Sequence, residues 1–275
     1  MDNTAQIDYW NGAAGQKWVR DADRLDQMLA PFADAVLAAA MPVAGEVVTD
    51  IGCGAGALTI AVAASGAIPT GVDVSEPLIA VARRRSAVNA PGTRFVLADA
   101  STWTPTVPAQ LVVSRFGVMF FADPVKAFAN IHKGVERGGR MAFACWRPLA
   151  ENEWAMAPVV AAMPFLREPP APPPPGAPGP FAFGQSEHIE RVLAEGGWTD
   201  VRVKPWDGKI ELPGANFAET AEFMLEIGPL SRVITEQGLD PQKIREALVA
   251  RVRELAGADG RTQLKAAAWI VEASA

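Results

Sequence analysis

Residues 47–66 read VVTDIGCGAGALTIAVAASG. An apolar run ends in Asp50, three glycines (Gly52, Gly54, Gly56) fall within five positions, and a second apolar stretch follows. Val47 to Asp50 predicts a short buried strand, and 57–65 a helix. Glycine lowers the stability of regular structure through its conformational freedom, so a cluster at a strand end marks backbone that must approach something closely. What approaches there decides the reading.

The same unit recurs outward from this stretch. AIPTGVDVS (67–75) predicts a strand ending near Asp73, and PLIAVARRRSAV (77–88) a helix with Pro77 in its first turn. TRFVLADA (93–100) predicts a third strand ending at Asp99, and AQLVVSRFGVMF (109–120) a fourth. DPVKAFANIHKGV (123–135) reads as a helix entered through Asp123 and Pro124, and GGRMAFACW (138–146) as a fifth strand after a Gly-Gly turn. Strands and helices alternating at this pace specify an α/β fold, a parallel sheet with helices on both faces. Beyond Trp146 the rhythm breaks. REPPAPPPPGAPGP (167–180) reads as a semi-rigid polyproline connector, because proline fixes φ and lacks a donor. Then follow a helix from Ser186, expected as its N-cap, a strand at 199–207, and helices over 217–256. LKAAAWIVEAS (264–274) reads as a last strand, with a helix as the alternative its alanines allow.

The totals narrow the partner. A chain of 275 residues, 49% hydrophobic, 20% charged and of formal net charge −6, has ample core material and no apolar run long enough to span a bilayer. The acidic balance disfavours nucleic acid, and the basic run Arg83 to Arg85 reads as a solvated helix face. MDNTAQIDYW is unlike a secretory leader, and two cysteines with two histidines suit a reducing cytoplasm rather than disulfides or a metal site. A small molecule is the expected partner; oligomeric state is not legible.

In open parallel sheets ligands sit outside the carboxyl ends of the strands, where strand order reverses. The glycine loop lies there, and the following helix start offers unpaired N–H groups. Dinucleotide enzymes use G-x-G-x-x-G, but this loop is Gly-x-Gly-x-Gly with an acid two residues ahead. Asp50 at the mouth of the loop opposes a pyrophosphate and suits an ammonium. Asp73 can take ribose hydroxyls, and Asp99 can accept from an exocyclic adenine amine.

VVTDIGCGAGALT, GVDVS, LADA and GGRMAFACW resemble the successive motifs of class I S-adenosylmethionine (SAM)-dependent methyltransferases. YWNGAAGQKW and SRFGVMFFADP are similar to bacterial enzymes related to the ubiquinone and menaquinone biosynthesis methyltransferases. The resemblance covers residues 45–147 and implies a Rossmann-like sheet of seven strands, the last antiparallel, with SAM held by Asp50, Gly52, Gly54, Gly56, Asp73, Val74, Asp99, Ala100 and Ser114. The implied layout is an N-terminal helical flap (1–44), a SAM-binding core (45–149) continued at 185–213, a lid from 150–184 and 214–258, and a C-terminal strand (259–275). Relatives usually carry an Asp just before the fourth strand, where this chain has Gln110, a position read as structural.

Tyr9, Trp10, Arg115, Phe116, Met119 and Trp146 are the residues expected around the acceptor, which aromatic walls would favour as apolar or aromatic. Arg115 carries the sharpest signal, since a cation inside an apolar run must meet the cleft or an acid. No nucleophile–histidine pair stands out, and His132 and His188 read as surface residues. The rival readings are a nicotinamide-dependent oxidoreductase, a non-catalytic SAM-binding module, and a methyltransferase acting on protein or RNA.

Overall fold

The computed structural model of the protein describes residues 3–168, 174, 176–227 and 230–275. Three helices, α1 (Thr4–Asn11), α2 (Ala13–Arg20) and α3 (Ala22–Ala40), precede the sheet, where the sequence led us to expect about one. Then come β1 (Val47–Ile51), α4 (Ala57–Ala63), β2 (Ile68–Asp73), α5 (Glu76–Asn89), β3 (Arg94–Leu97), β4 (Ala109–Arg115), α6 (Pro124–Lys133) and β5 (Val135–Trp146). The remainder is α7 (Glu153–Ala162), α8 (Ser186–Glu195), β6 (Thr199–Glu211), α9 (Phe217–Ile227), α10 (Leu230–Gln237), α11 (Pro241–Leu255) and β7 (Gln263–Ser274). No helix among the described residues is long and apolar enough to cross a membrane.

The seven strands form one sheet in the order β3-β2-β1-β4-β5-β7-β6. β1 pairs in parallel with both β2 and β4, placing Val48 between Pro69 and Leu111, and β7 runs antiparallel to β5. Strand order therefore reverses between β1 and β4. The helices that follow these two strands leave by opposite faces, which opens a crevice at their carboxyl ends. β1 is paired on both edges, and Val48 to Ile51 are all buried.

Several local expectations shift. The third strand stops at Leu97, two residues short of Asp99. The fourth stops at Arg115: Phe116 takes a positive φ of 61°, and Val118–Phe120 wind into a 3-10 turn. The fifth starts at Val135, ahead of Gly138 and Gly139, which lie within it. The 264–274 stretch is a strand, because it completes the sheet between β5 and β6. Ser186 is not a cap. It is the first residue of α8, after Gln185, and its hydroxyl donates to Glu187. Asp123, by contrast, caps α6 by accepting from the Lys126 N–H at 3.1 Å. His132 is half-buried rather than fully at the surface, its ring edge-on to Trp198 at 5.2 Å. Gln110 accepts from the Val47 N–H at 3.0 Å, so its side chain secures the start of β1.

The chain forms two compact units. The first comprises residues up to Trp146 with Gly176–Trp206 and Ala268–Ala275, and contains the sheet crevice. The second comprises Arg147–Pro175 and Asp207–Ala267. It takes in most of the two stretches expected as a lid, with shifted bounds. Inside it Ala162, Leu230 and Ile244 form an apolar cluster, and the buried Asn152 amide bonds the carbonyls of Arg147, Pro148 and Ala267.

Candidate functional site

The loop after β1 answers the question its glycines pose. Gly52 and Gly54 have φ of 66° and 53°, left-handed backbone that side chains other than glycine's strain to adopt. A Cβ on Gly52 would lie 2.6 Å from the Gly117 Cα, so the loops after β1 and β4 pack backbone to backbone. A Cβ on Gly54 would meet nothing within 4 Å. Gly56 instead packs against Ala82 and Phe95 and does not line the cavity described below. At one glycine the protein approaches itself; at the next the backbone borders open space.

Three acids stand beside this loop. Asp50 is buried at 1% exposure. Its Oδ2 accepts from the Thr59 hydroxyl at 2.6 Å, while Oδ1 is buried without a partner among the described residues. Burial pushes its pKa up to about 7, against the pull of the Thr59 hydrogen bond and of the Arg115 guanidinium. Asp73 accepts from the N–H of Gly54 through Oδ2 and of Ser75 through Oδ1, both at 2.8 Å, and burial raises its pKa against these donors. Asp99 accepts from the Ser101 N–H at 2.9 Å, the Ser101 hydroxyl at 2.7 Å and the Asn3 amide at 3.2 Å.

These groups border a cavity of about 1050 Å³, measured out to the solvent at its mouth. Gly52, Gly54, Asp50, Asp73, Val74, Asp99 and Ala100 line one part, and Trp10, Trp18, Leu25, Leu29, Phe116 and Phe120 another. Helix α1 is fastened across it. Asn3 donates to Asp99 and accepts from the Ala122 N–H at 3.2 Å. Asn11 donates to the Val74 carbonyl and accepts from the Glu76 N–H, both at 2.9 Å, and the Ser75 hydroxyl donates to the Trp10 carbonyl. Asn3 and Gln6 carry no signal in a single sequence, since polar residues in a leading helix look alike whether they meet a cleft or solvent.

Arg115, at the end of β4, lines the cavity and donates to Asp26 of α3 at 2.7 Å. The other oxygen of Asp26 accepts from Arg85 at 2.7 Å. Arg85 also pairs with Asp23 and donates to the Ala55 carbonyl of the glycine loop, so the basic run of α5 is not simply a solvated face. The remaining expected residues have other work. Trp146 is buried in an aromatic cluster, stacked on Phe116 with centroids 4.1 Å apart and edge-on to Phe32. Met119 is also buried, its sulfur accepting from the Trp146 N–H, and neither residue lines the cavity. Ser114 donates to the Ile51 carbonyl at 2.7 Å and accepts from the Gly117 N–H, tying β4 to the glycine loop. Tyr9 is 56% exposed and meets Trp10 edge-on. Burial pushes the Cys53 thiol pKa well up, which keeps it inert. Among the described residues no group of three His, Cys, Asp or Glu could hold a metal.

The donor set suits one kind of ligand. An unpartnered buried carboxylate oxygen takes a cation, a second carboxylate takes hydroxyls, and apolar walls take an aromatic ring. Residues 48–139 match the family model of the methyltransferase domain. The chain is 27% identical over 215 residues to trans-aconitate 2-methyltransferase of Rhizobium etli, covering 73% of this chain and 74% of that protein. It is 34% identical over 131 residues to aklanonic acid methyltransferase DauC of a Streptomyces strain, covering 44% of this chain and only 58% of that relative. Among solved structures, the YcgJ protein of Bacillus subtilis superposes with a TM-score of 0.55 at 14% identity, over 88% of this chain and 97% of that one. Phosphoethanolamine N-methyltransferase 2 of Haemonchus contortus, solved with S-adenosyl-L-methionine, superposes with a TM-score of 0.52 at 19% identity, over 88% of this chain and 51% of that one. At these identities the structures share the fold.

Proposed function

We propose that the chain is a class I SAM-dependent methyltransferase, with SAM as its cofactor, and that it methylates a small apolar or aromatic molecule held in this cavity. The observation that carries the acceptor class is the division of one cavity between a carboxylate row and a wall of tryptophan, leucine and phenylalanine side chains. SAM, when bound, supplies a methyl group on a positively charged sulfur that departs as a neutral thioether. In this reading Asp50 answers the ammonium with its unpartnered oxygen, Asp73 holds ribose hydroxyls, and Asp99 with Ala100 borders the base. Trp10, Trp18, Phe116 and Phe120 exclude water and offer ring faces to a cation and a flat acceptor. Methyl transfer is an in-line displacement at carbon, so aligning acceptor and methyl supplies much of the acceleration, ~7–11 kcal/mol in favourable intramolecular cases.

The test is incubation of the protein with methyl-labelled SAM and a panel of phenols, quinols, amines and carboxylic acids. Label is expected in a small-molecule product. S-adenosylhomocysteine should raise the melting temperature, as any ligand that binds only the folded state does. Label in no panel member, with S-adenosylhomocysteine bound tightly, would favour a SAM-sensing module.

A further inference from the structure

Arg115 is a largely buried cation with donors to spare. Its side chain is 13% exposed, and among the described residues its only partner is one oxygen of Asp26, leaving Nε and Nη1 unengaged. Asp26 is not Arg115's alone, because Arg85 takes its other oxygen. Arg85 has a further partner in Asp23, but that carboxylate is 89% exposed and screened by solvent. Two guanidiniums thus share one sheltered carboxylate. Asp50 of β1, whose pKa burial pushes up to about 7, also feels the Arg115 guanidinium. Leu25, Leu29 and Phe116 line the same cavity, so apolar walls border the guanidinium.

A guanidinium fixed by one edge presents its other donors as a planar fork, which matches a carboxylate better than a point charge does. A dianion would require more than this one cation. We propose that Arg115 is the specificity-determining residue for the acceptor and binds a carboxylate on it, so that the preferred acceptors are flat apolar acids. Asp26, held in turn by Arg85, acts as the positioning residue that sets the orientation of the fork. This deepens the methyltransferase reading and rests on it.

The experiment loads the protein with S-adenosylhomocysteine and titrates it by calorimetry with benzoate, cinnamate, 1-naphthoate and indole-3-acetate, each beside its neutral amide. At least one acid is expected to bind ten-fold or more tightly than its amide. R115Q should reduce that ratio to within two-fold while leaving S-adenosylhomocysteine affinity within a few-fold. R115K, which keeps the charge and loses the fork, should retain part of the preference, and it serves as the test if R115Q does not fold. No acid preference in the native protein, or a preference that survives R115Q or is undiminished in R115K, overturns the proposal alone. Failure of S-adenosylhomocysteine to bind the native protein overturns the methyltransferase reading and this inference with it.

Discussion

The two sides of the cavity are built by different means. At the ends of β1 to β3 the surface is backbone and sheltered carboxylate: left-handed glycines, and acids whose oxygens, Asp50 Oδ1 apart, accept from N–H, hydroxyl and amide groups. At the end of β4 and along α1 to α3 it is large side chains and a shared ion pair, Arg85–Asp26–Arg115. The first construction is rigid and tolerates few residue types. The second is a wall that can be re-cut residue by residue while the first stays intact, the arrangement expected where one ligand is constant and the other sets specificity.

The largest effect that can break this division is at Trp146, beneath the wall. Trp146→Ala should lower stability by ~3–5 kcal/mol through the lost aromatic packing, and leave S-adenosylhomocysteine affinity unchanged. Denaturant melts paired with calorimetry measure both, and a folded variant with weakened cofactor binding would place Trp146 on the other side. Next comes Gly52→Ala, where a positive φ and a Cβ 2.6 Å from Gly117 should together destabilise by ~2–4 kcal/mol. Because that contact joins the two sides, cofactor affinity should fall as well; a stable variant with native affinity would mean the contact is dispensable.

Asp73→Ala sharpens the comparison. Losing charge-assisted hydrogen bonds of ~1.5–3 kcal/mol should weaken S-adenosylhomocysteine binding roughly ten- to hundred-fold. Unchanged affinity in the folded variant removes the ribose assignment. The smallest effect is in pH. Asp50 has a folded-state pKa raised to about 7, above an unfolded value of roughly 3.9, so the folded chain binds more protons across that window. Its contribution to stability is therefore unfavourable and grows as pH rises from about 4 to about 7, then levels off. A bound ammonium favours the ionised form, so S-adenosylhomocysteine affinity should rise by about ten-fold between pH 6 and 8 and then flatten. Asp50→Asn should remove both slopes. An affinity that falls over this range would sink the ammonium assignment.

Legibility followed the same division. Asp50, Asp73 and the glycines stood out because turns with positive φ and strand-end acids restrict residue type at fixed spacing. Asp99 was legible as an acid, but not its place two residues past β3. Arg115 was legible because a cation in an apolar run demands a partner. The partner was not, since Asp26 lies 89 positions away in a helix with several similar acids. The buried positions of Trp146 and Met119 were not legible, because an apolar residue near a strand end has the same pattern whether it faces a cleft or the core. Gln110 was read as structural, and its bond to Val47 bears that out.

By itself the sequence determined the alternation of strand and helix, the glycine turn at the switch point, and the acids beside it. These follow from local backbone preference and from the expense of burying charge, both written in short windows. Only the tertiary structure decided that β7 enters between β5 and β6, that α1 is fastened to Asp99 through Asn3 across 96 positions, and that Arg115 shares Asp26 with Arg85. Such pairings depend on which faces meet when helices pack on an open sheet. Many side chains could satisfy the same local pattern, and close packing selects among them.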